Sequence, residues 1–219
     1  SSDVCSSDLD DEASDSMAAL RAGFANLDHH VNVLRSMGLP VVVAINRFPD
    51  DADAEIQEIL DHCEEKGVPA AVSTLHAEGG AGGTEIARLV KREVESGGRE
   101  LRRVYDLDAS LPEKIRAVAT QVYGADDVEF SSGARDDIER IEAQGLDEMP
   151  VCISKTPSSL SDDPEKVGVP EDWTLSVTEL SPSAGAGFVV VLTGDVLTMP
   201  GLPADPAAAH IDLDEDGSI

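Results

Sequence analysis

The strongest constraint on the fold of this chain is an alternation of short apolar runs and amphipathic segments between residues 41 and 96. The run VVVAI (41–45) is mostly β-branched, and the segment after it carries apolar residues at helical spacing until Gly67. A second run, PAAVST (69–74), precedes a glycine-rich stretch and another amphipathic segment. This strand–helix–strand–helix order predicts parallel βαβ units with a right-handed crossover.

The first predicted strand runs directly into polar and aromatic residues, in the sequence AINRFPDD (44–51). Its apolar composition predicts a strand that is buried on both faces, as strands of parallel sheets are. In open parallel sheets, ligands bind just beyond the carboxyl ends of the strands. We therefore expect a ligand crevice around Asn46 and Phe48, and we expect Asp51 or Asp53 to cap the following helix.

The segments outside this alternation predict further elements. From Ser16, apolar residues recur every three or four positions until Gly38 and Pro40, which predicts a helix that ends there. Ser110 and Glu113 form a capping-box pattern at the start of a predicted helix. The other predicted elements are helices from about residue 84 and over 111–123 and 131–145, and strands within 150–156, 173–180 and 187–194.

The segment ESGGRELRR (95–103) is the best candidate for a linker between two regions. We expect residues 16–98 to be part of an α/β domain and residues 99–219 to form a smaller α/β region. Residues 1–15 begin with the low-complexity sequence SSDVCSSDL, which resembles translated adapter sequence, so we expect this segment to be artefactual or disordered. Both ends of the chain are expected to be truncated.

The charge of the chain is strongly acidic, with 44 Asp and Glu against 16 Lys and Arg and a net charge of −28. The acids are spread along the whole chain, which is typical of a surface that is solvated at high salt and predicts a halophilic host. Binding to nucleic acids or anionic membranes is disfavoured, because no basic patch is present to neutralise phosphates. The three cysteines have no metal-binding spacing, and no membrane span or signal peptide is visible, so a cytoplasmic location is expected.

Three further motifs leave alternatives open. The glycines of GGAGG (79–83) stand before a predicted helix, where they form either an anion-binding turn or a plain flexible turn. The segment SPSAGAGFVVV (181–191) either lets a ligand approach the backbone or forms a tight turn or bulge in a hairpin. The sequence DLDEDG (212–217) is similar to the start of a calcium loop, but the chain ends before the twelfth position, so an acidic hairpin turn is favoured.

Longer stretches of the sequence resemble one enzyme family. The stretches are LRAGFANLDHHVNVLRSMGLPVVVAINRFPDDADAEI, LHAEGGAGGTEIA, YGADDVEFS, SDDP and SPSAGAGFVVVLTGDVLTMPGLPADPAAAHIDLDEDGSI. Together they are similar to formate–tetrahydrofolate ligase, also called 10-formyltetrahydrofolate synthetase, in order from about Ala18 to Ile219. The elements AINRFPDD and TGDVLTMPGLP are its most specific parts.

The resemblance implies an ATP-dependent ligation. Formate is phosphorylated by ATP with Mg²⁺ to formyl phosphate, and the formyl group passes to N10 of tetrahydrofolate. Members of the family have a P-loop-NTPase-like main domain, assemble as homotetramers and respond to a monovalent cation. Residues 16–98 would then be the C-terminal part of the nucleotide- and folate-binding domain.

The resemblance also implies roles for particular residues. Phe48 and His76 stand at the two aromatic positions that sandwich the pterin ring, and tryptophan is usual where His76 stands. The nucleotide side is assigned to Asn46 and to the loop residues Ser183, Ala184 and Gly185. No catalytic residue and no metal ligand is assigned within this chain.

Two departures from the family pattern affect the expected activity. The element KTPSSLSDDP (155–164) lacks two aromatic residues of its counterpart, which favours a structural loop over a ligand site. The chain contains no GK[ST] phosphate loop, so we expect it to be catalytically inactive alone, because phosphoryl transfer depends on positioning and charge stabilisation. The alternative hypothesis is a non-catalytic, stand-alone folate-binding or subunit-interaction module.

Overall fold

The structure is a computed structural model that describes residues 6–97 and 100–194. These residues form a mixed α/β structure with two sheets, one of two strands and one of four. The helices are α1 (Ser6–Ser36), α2 (Asp53–Glu65), α3 (Leu75–Glu78), α4 (Thr84–Glu95), α5 (Leu111–Gln121) and α6 (Ser132–Ala143), with a 3-10 helix at Gly79–Gly83. The strands are β1 (Val43–Asn46), β2 (Ala70–Ser73), β3 (Asp127–Phe130), β4 (Val151–Ser154), β5 (Thr174–Ser183) and β6 (Phe188–Thr193).

The two-stranded sheet confirms the predicted parallel pair. Strands β1 and β2 are parallel, in a register that runs from Val43 opposite Ala70 to Asn46 opposite Ser73. Helix α2 connects them and ends where predicted, since Gly67 takes a φ of 60° and donates its backbone N–H to the carbonyl of Glu64. Helix α1 packs on α2 around a small core of Val31, Cys63 and Val68, to which Leu27, Val41, Val43, Ile59 and Ala70 add partly buried side chains.

Three details of this half differ from the sequence predictions. Strand β1 is not buried on both faces: Ile45 is buried but Ala44 is exposed, because successive side chains of a strand point to opposite faces and α2 packs on one of them. The residue that caps α2 is Ala52, which offers no side-chain hydrogen bond, because Asp51 and Asp53 bind other partners. Helix α1 begins at Ser6, ten residues before the predicted start.

The four-stranded sheet has the order β3-β5-β6-β4. Its outer pairs, β3 with β5 and β4 with β6, are parallel, whereas β5 and β6 form an antiparallel hairpin. Helices α5 and α6 pack on this sheet and close the larger core. The fully buried members of this core, each 0% or 1% exposed, are Leu111, Ile115, Ala119, Ala134, Ile141, Leu175, Val177, Leu180, Val189 and Val191.

Local capping signals in this half are confirmed. The Ser110 side chain and the Glu113 side chain make the reciprocal hydrogen bonds of a capping box at the start of α5. Helix α6 begins where the Ser131 hydroxyl accepts a 3.0 Å hydrogen bond from the backbone N–H of Ala134. Strand β3 has no counterpart among the predicted elements.

The two halves meet at the C-terminal end of α1. The N–H of Arg102 donates a 2.9 Å hydrogen bond to the carbonyl of Met37, and Nε2 of His29 lies 2.7 Å from the carbonyl oxygen of Val122. Gly38, with a φ of 77°, ends α1 as predicted. None of the helices in the described ranges is long and apolar enough to cross a membrane. The calcium-like sequence at 212–217 lies outside the described residues.

Candidate functional site

The parallel pair β1–β2 fixes where the predicted crevice lies. Because Asn46 is in register with Ser73, both strands end at the same edge of the sheet. The ladder continues one residue further, since the N–H of Arg47 donates a 3.0 Å hydrogen bond to the carbonyl of Ser73. The segments that leave the two strands therefore start side by side.

Phe48 is held by a tight turn directly after β1. Its N–H donates a 2.7 Å hydrogen bond to Oδ2 of Asp51, and the N–H of Asp51 donates a 3.2 Å hydrogen bond back to the carbonyl of Phe48. Pro49 occupies the second position of this turn, where its fixed φ suits the backbone. The turn fixes the backbone while 46% of Phe48 stays exposed, so its ring is available to a ligand.

His76 reaches the same edge from β2. It lies in the single-turn helix α3 and is exposed. The ring centroids of Phe48 and His76 are 5.6 Å apart, with an angle of 60° between the ring planes. This separation falls in the range of interacting aromatic pairs. The structure thus brings together the two aromatic residues that the family resemblance singled out.

The glycine-rich stretch at residues 79–83 contacts α3 and the residue that precedes it. Its residues form a 3-10 helix that leads directly into α4, rather than a flexible irregular turn. The carbonyl of Gly82 accepts a 3.2 Å hydrogen bond from the N–H of Thr74, the residue between β2 and α3. The Thr74 hydroxyl in turn donates a 2.8 Å hydrogen bond to Oε2 of Glu78, at the other end of α3.

The residues predicted for the nucleotide side lie in two different sheets. Asn46 is exposed at the end of β1, on the same edge as Phe48. Ser183 ends β5, and its carbonyl accepts hydrogen bonds of 2.9 Å from the N–H groups of both Ala186 and Gly187. This confirms the predicted tight turn of a hairpin, in which Ala184 and Gly185 are exposed. Within the described residues, no hydrogen bond or ion pair joins this hairpin turn to the β1–β2 edge.

The charges around the β1–β2 edge are mostly acidic. Arg47 is the basic residue closest in sequence to the turn, and its guanidinium pairs with the carboxylate of Asp53. No group of three or more His, Cys, Asp or Glu side chains in residues 6–97 and 100–194 is placed to hold a metal ion. The edge therefore offers flat apolar surface and backbone groups rather than a preformed cation site or a free positive charge.

The segment 155–164 is held by its own hydrogen bonds, in keeping with a structural loop. Nζ of Lys155 donates to the carbonyls of Thr156, Ser159 and Ser161, and lies 5.0 Å from the centroid of the Tyr123 ring. Burial lowers the pKa of Lys155, and the charge of nearby Asp162 opposes this shift. All three protons of the ammonium thus have acceptors within the loop.

Sequence inspection missed the residues that hold the aromatic pair in place. Asp51 was predicted, as an alternative to Asp53, to cap α2, whereas its carboxylate fixes the Phe48 turn. Its position two residues after Pro49 is the signal for that turn. Thr74 and Gly82 carry no signal of their own, because their contact joins residues eight positions apart across α3 and the 3-10 helix.

Comparison with known proteins gives one consistent result. A family model described as "Formate--tetrahydrofolate ligase" matches residues 4–219. The formate–tetrahydrofolate ligase of Haloquadratum walsbyi is 53% identical in an alignment of 219 residues that covers 99% of this chain and 38% of that protein. Those of Haloarcula marismortui and Symbiobacterium thermophilum are 51% and 50% identical, over 97% and 96% of this chain and 39% and 38% of their own lengths. The chain thus spans less than two fifths of the length of these relatives. Because the family model matches almost the whole of this chain, the chain belongs to the formate–tetrahydrofolate ligase family.

Proposed function

We propose that this chain is the C-terminal part of an ATP-dependent ligase that joins formate to tetrahydrofolate. The product would be 10-formyltetrahydrofolate, formed through formyl phosphate. Family membership supports the reaction class, and the observation that carries the proposal is the pair of exposed rings at the carboxyl edge of β1 and β2. An edge of this kind is where open parallel sheets bind their ligands.

The role of the aromatic pair is to hold the pterin ring of tetrahydrofolate by stacking. A flat ring between two parallel rings needs a centroid separation of about 7 Å, which is twice a carbon–carbon contact of about 3.5 Å. Phe48 and His76 are 5.6 Å apart and tilted, so they contact each other and must separate and rotate to admit the ligand. Exposure of both side chains leaves room for this movement.

The nucleotide side of the proposed site is assigned to Asn46 and to Ser183, Ala184 and Gly185. Asn46 shares the edge with Phe48, and the exposed hairpin turn presents backbone rather than bulky side chains. This assignment requires a P-loop-NTPase-like sheet, of which β1 and β2 would be two parallel strands. Residues 16–98 would belong to this domain and residues 99–219 to a smaller α/β region.

The remaining partners follow from the family resemblance. They are ATP, Mg²⁺, formate, a monovalent cation and three further copies of the full-length protein. No metal is assigned to residues of this chain. We also propose a cytoplasmic location, because the proposed substrates ATP and tetrahydrofolate are supplied by metabolism inside the cell. The even acidic charge and the halophile relatives support a high-salt host.

Binding of tetrahydrofolate to the 219-residue chain tests the aromatic pair. Calorimetry in on the order of 2 M KCl, where charge repulsion is screened, should show saturable binding that Phe48→Ala weakens at least about tenfold. The matched control is Val167→Ala, which truncates an apolar side chain that is 76% exposed. Equal affinities for Phe48→Ala and the control would contradict the proposed folate contact.

Activity is tested by transferring the chain into a relative. In the chimera, this chain replaces the matching segment of the Haloarcula marismortui protein, to which it is 51% identical. We expect formate- and tetrahydrofolate-dependent consumption of ATP, and loss of this activity in the Phe48→Ala chimera. A folded chimera that binds tetrahydrofolate without turnover would favour the non-catalytic module instead.

A further inference from the structure

We propose that Gly82 is a positioning residue for His76: the absence of a side chain at residue 82 sets where the ring of His76 stands relative to Phe48. This inference rests on the proposed folate function and adds to it a residue that contacts neither ring.

Gly82 lies directly against the backbone of Thr74. A Cβ atom built on Gly82 would lie 2.5 Å from the carbonyl carbon and from Oγ1 of Thr74, and 2.6 Å from its carbonyl oxygen. Two of these three atoms belong to the main chain, so a change of rotamer cannot relieve the overlap. To reach an ordinary contact of 3.4 Å, the two segments must separate by about 0.9 Å.

Thr74 is the N-cap residue of α3 and holds this helix by hydrogen bonds. Its carbonyl accepts hydrogen bonds from the N–H groups of Ala77, at 3.0 Å, and Glu78, at 2.8 Å. Its hydroxyl donates to the Glu78 carboxylate, and its N–H donates to the carbonyl of Gly82. Any displacement of Thr74 therefore moves the whole single-turn helix, and His76 with it.

Phe48 does not share this support. Its position is set by the turn that Asp51 closes at the end of β1, on the other strand of the pair. A shift of Thr74 by up to about 0.9 Å thus moves the backbone that carries His76 and leaves the Phe48 turn in place. The side chains still rotate to admit the ligand, but the backbone of residue 76 limits where its ring can then stand, and misplacement by about 1 Å at a site costs up to about a hundredfold in function.

The neighbouring glycines show that this constraint is specific to one position. A Cβ on Gly80 meets no atom within 4 Å, and Gly80 has no positive φ. Gly79 has a φ of 58° but open space around it, whereas a Cβ on Gly83 would meet mainly the flexible side chain of Leu75. Gly80→Ala is therefore a matched control for Gly82→Ala: the same added methyl group, in the same 3-10 helix.

The position of the rings is measured directly by nuclear Overhauser effects in the labelled 219-residue chain. We expect cross-peaks between the ring protons of Phe48 and His76 in the wild type and in Gly80→Ala, and clearly weaker ones in Gly82→Ala. Tetrahydrofolate binding should weaken at least about tenfold in Gly82→Ala and less than about twofold in Gly80→Ala. In the chimera, KM for tetrahydrofolate should rise while KM for ATP stays unchanged, a split that general destabilisation does not produce.

Two outcomes of this experiment separate the inference from the proposed function. If Phe48→Ala weakens tetrahydrofolate binding but Gly82→Ala behaves as Gly80→Ala does, the positioning role is wrong and the folate site stands. If the cross-peaks weaken in Gly82→Ala but Phe48→Ala binds tetrahydrofolate normally, the positioning role stands and the folate function falls.

A second variant covers the case in which Gly82→Ala does not fold. Glu78→Ala adds no atoms and frees the Thr74 hydroxyl from its hydrogen bond across α3. We expect weaker cross-peaks between Phe48 and His76 and about threefold weaker tetrahydrofolate binding, because charge-assisted hydrogen bonds contribute modestly at exposed sites. Glu139→Ala, an exposed change on α6, is the control. Equal spectra and equal affinities in these two variants would overturn the proposal.

Discussion

The carboxylate of Asp28 lies 2.8 Å from Nε2 of His62 and joins helix α1 to helix α2. Its second oxygen accepts a 2.7 Å hydrogen bond from Nζ of Lys66, the residue that follows α2, so one carboxylate holds two groups at the C-terminal end of that helix. Burial works to raise the pKa of Asp28, but the hydrogen bonds from Lys66 and His62 outweigh it, and the pKa is lowered. The Asp28 carboxylate thus provides a pH-dependent link between α1 and α2.

The first prediction concerns the acid stability of this link. Because the folded-state pKa of Asp28 is below its unfolded value, its contribution to the free energy of unfolding is present above that value, near pH 3.9, and is lost as the pH falls through the folded pKa. Denaturant midpoints between about pH 6 and pH 2 should therefore fall less in Asp28→Asn than in the wild type. Asp136→Asn, an exposed change on α6, should keep the wild-type slope. Parallel curves for all three proteins would rule out the link.

The second prediction concerns Lys114, a lysine of α5 that is 0% exposed. Its Nζ donates to the carbonyls of Asp147, at 2.5 Å, and Met149, at 3.2 Å, and so ties α5 to the segment before β4. Burial lowers the pKa of Lys114, although the nearby acids, led by Asp147, oppose the shift. The unfolded chain therefore binds more protons than the folded one between the lowered pKa and about 10.4, and stability should rise with pH in that window.

Lys114→Met should remove this rise and also cost about 1–3 kcal/mol near pH 7, because the two carbonyls lose their donor. The measurement is the denaturant midpoint from about pH 7 to pH 10.5, with Lys91→Met as the control, since the Lys91 side chain is 74% exposed. A variant that is as stable as the wild type, or that retains the alkaline rise, would show that Lys114 does not tie α5 in this way.

The third prediction concerns the junction between the two halves. Gly38 has a φ of 77°, and a Cβ on it would lie 2.2 Å from the carbonyl oxygen of Glu100. Gly145 has a similar φ of 67°, but its Cβ would meet no atom within 4 Å. Gly145→Ala should therefore cost about 1 kcal/mol from backbone strain alone, whereas Gly38→Ala should cost at least about 2 kcal/mol more. Denaturant unfolding followed by circular dichroism gives the free energy of unfolding of each variant. Similar losses of stability in the two variants would mean that Glu100 moves away without cost.

The elements that the sequence predicts well are those with local signals. The capping box at Ser110 and the helix end at Gly38 depend on residues close together in the chain. The parallel pairing of β1 with β2 follows from the strand–helix–strand order of the segments that join them. Strand β3 is different: it has four residues, DVEF, and pairs with β5, which follows it by some 47 positions. No local pattern indicates that pairing, because the neighbour that stabilises the strand is distant in sequence.

The candidate site likewise has some features with local sequence signals and others that depend on residues distant in the chain. Spacing and composition predict a crevice at the end of β1, but they do not predict that His76 contacts Phe48, which lies 28 positions earlier in the chain. The family resemblance pointed to these two residues, and in the structure their rings are in contact. A turn after Pro49 has a sequence signal, but the support that Asp51 and Gly82 give to the pair is seen in the hydrogen bonds and in the space around a missing Cβ. A glycine that is required for close approach looks, in a single sequence, the same as its unconstrained neighbour Gly80.

The last prediction concerns the size of the ring at residue 76. Tryptophan presents a larger apolar face than histidine, so His76→Trp should bind tetrahydrofolate about three- to tenfold more tightly. His76 is exposed, and the larger ring therefore has room at the edge of β1 and β2. The control is His30→Trp, which places the same ring at an exposed position of α1. Calorimetric dissociation constants in the 219-residue chain decide the matter: an unchanged or weaker affinity in His76→Trp, or an equal gain in His30→Trp, would remove His76 from the stacking role and leave Phe48 as the aromatic contact of this chain.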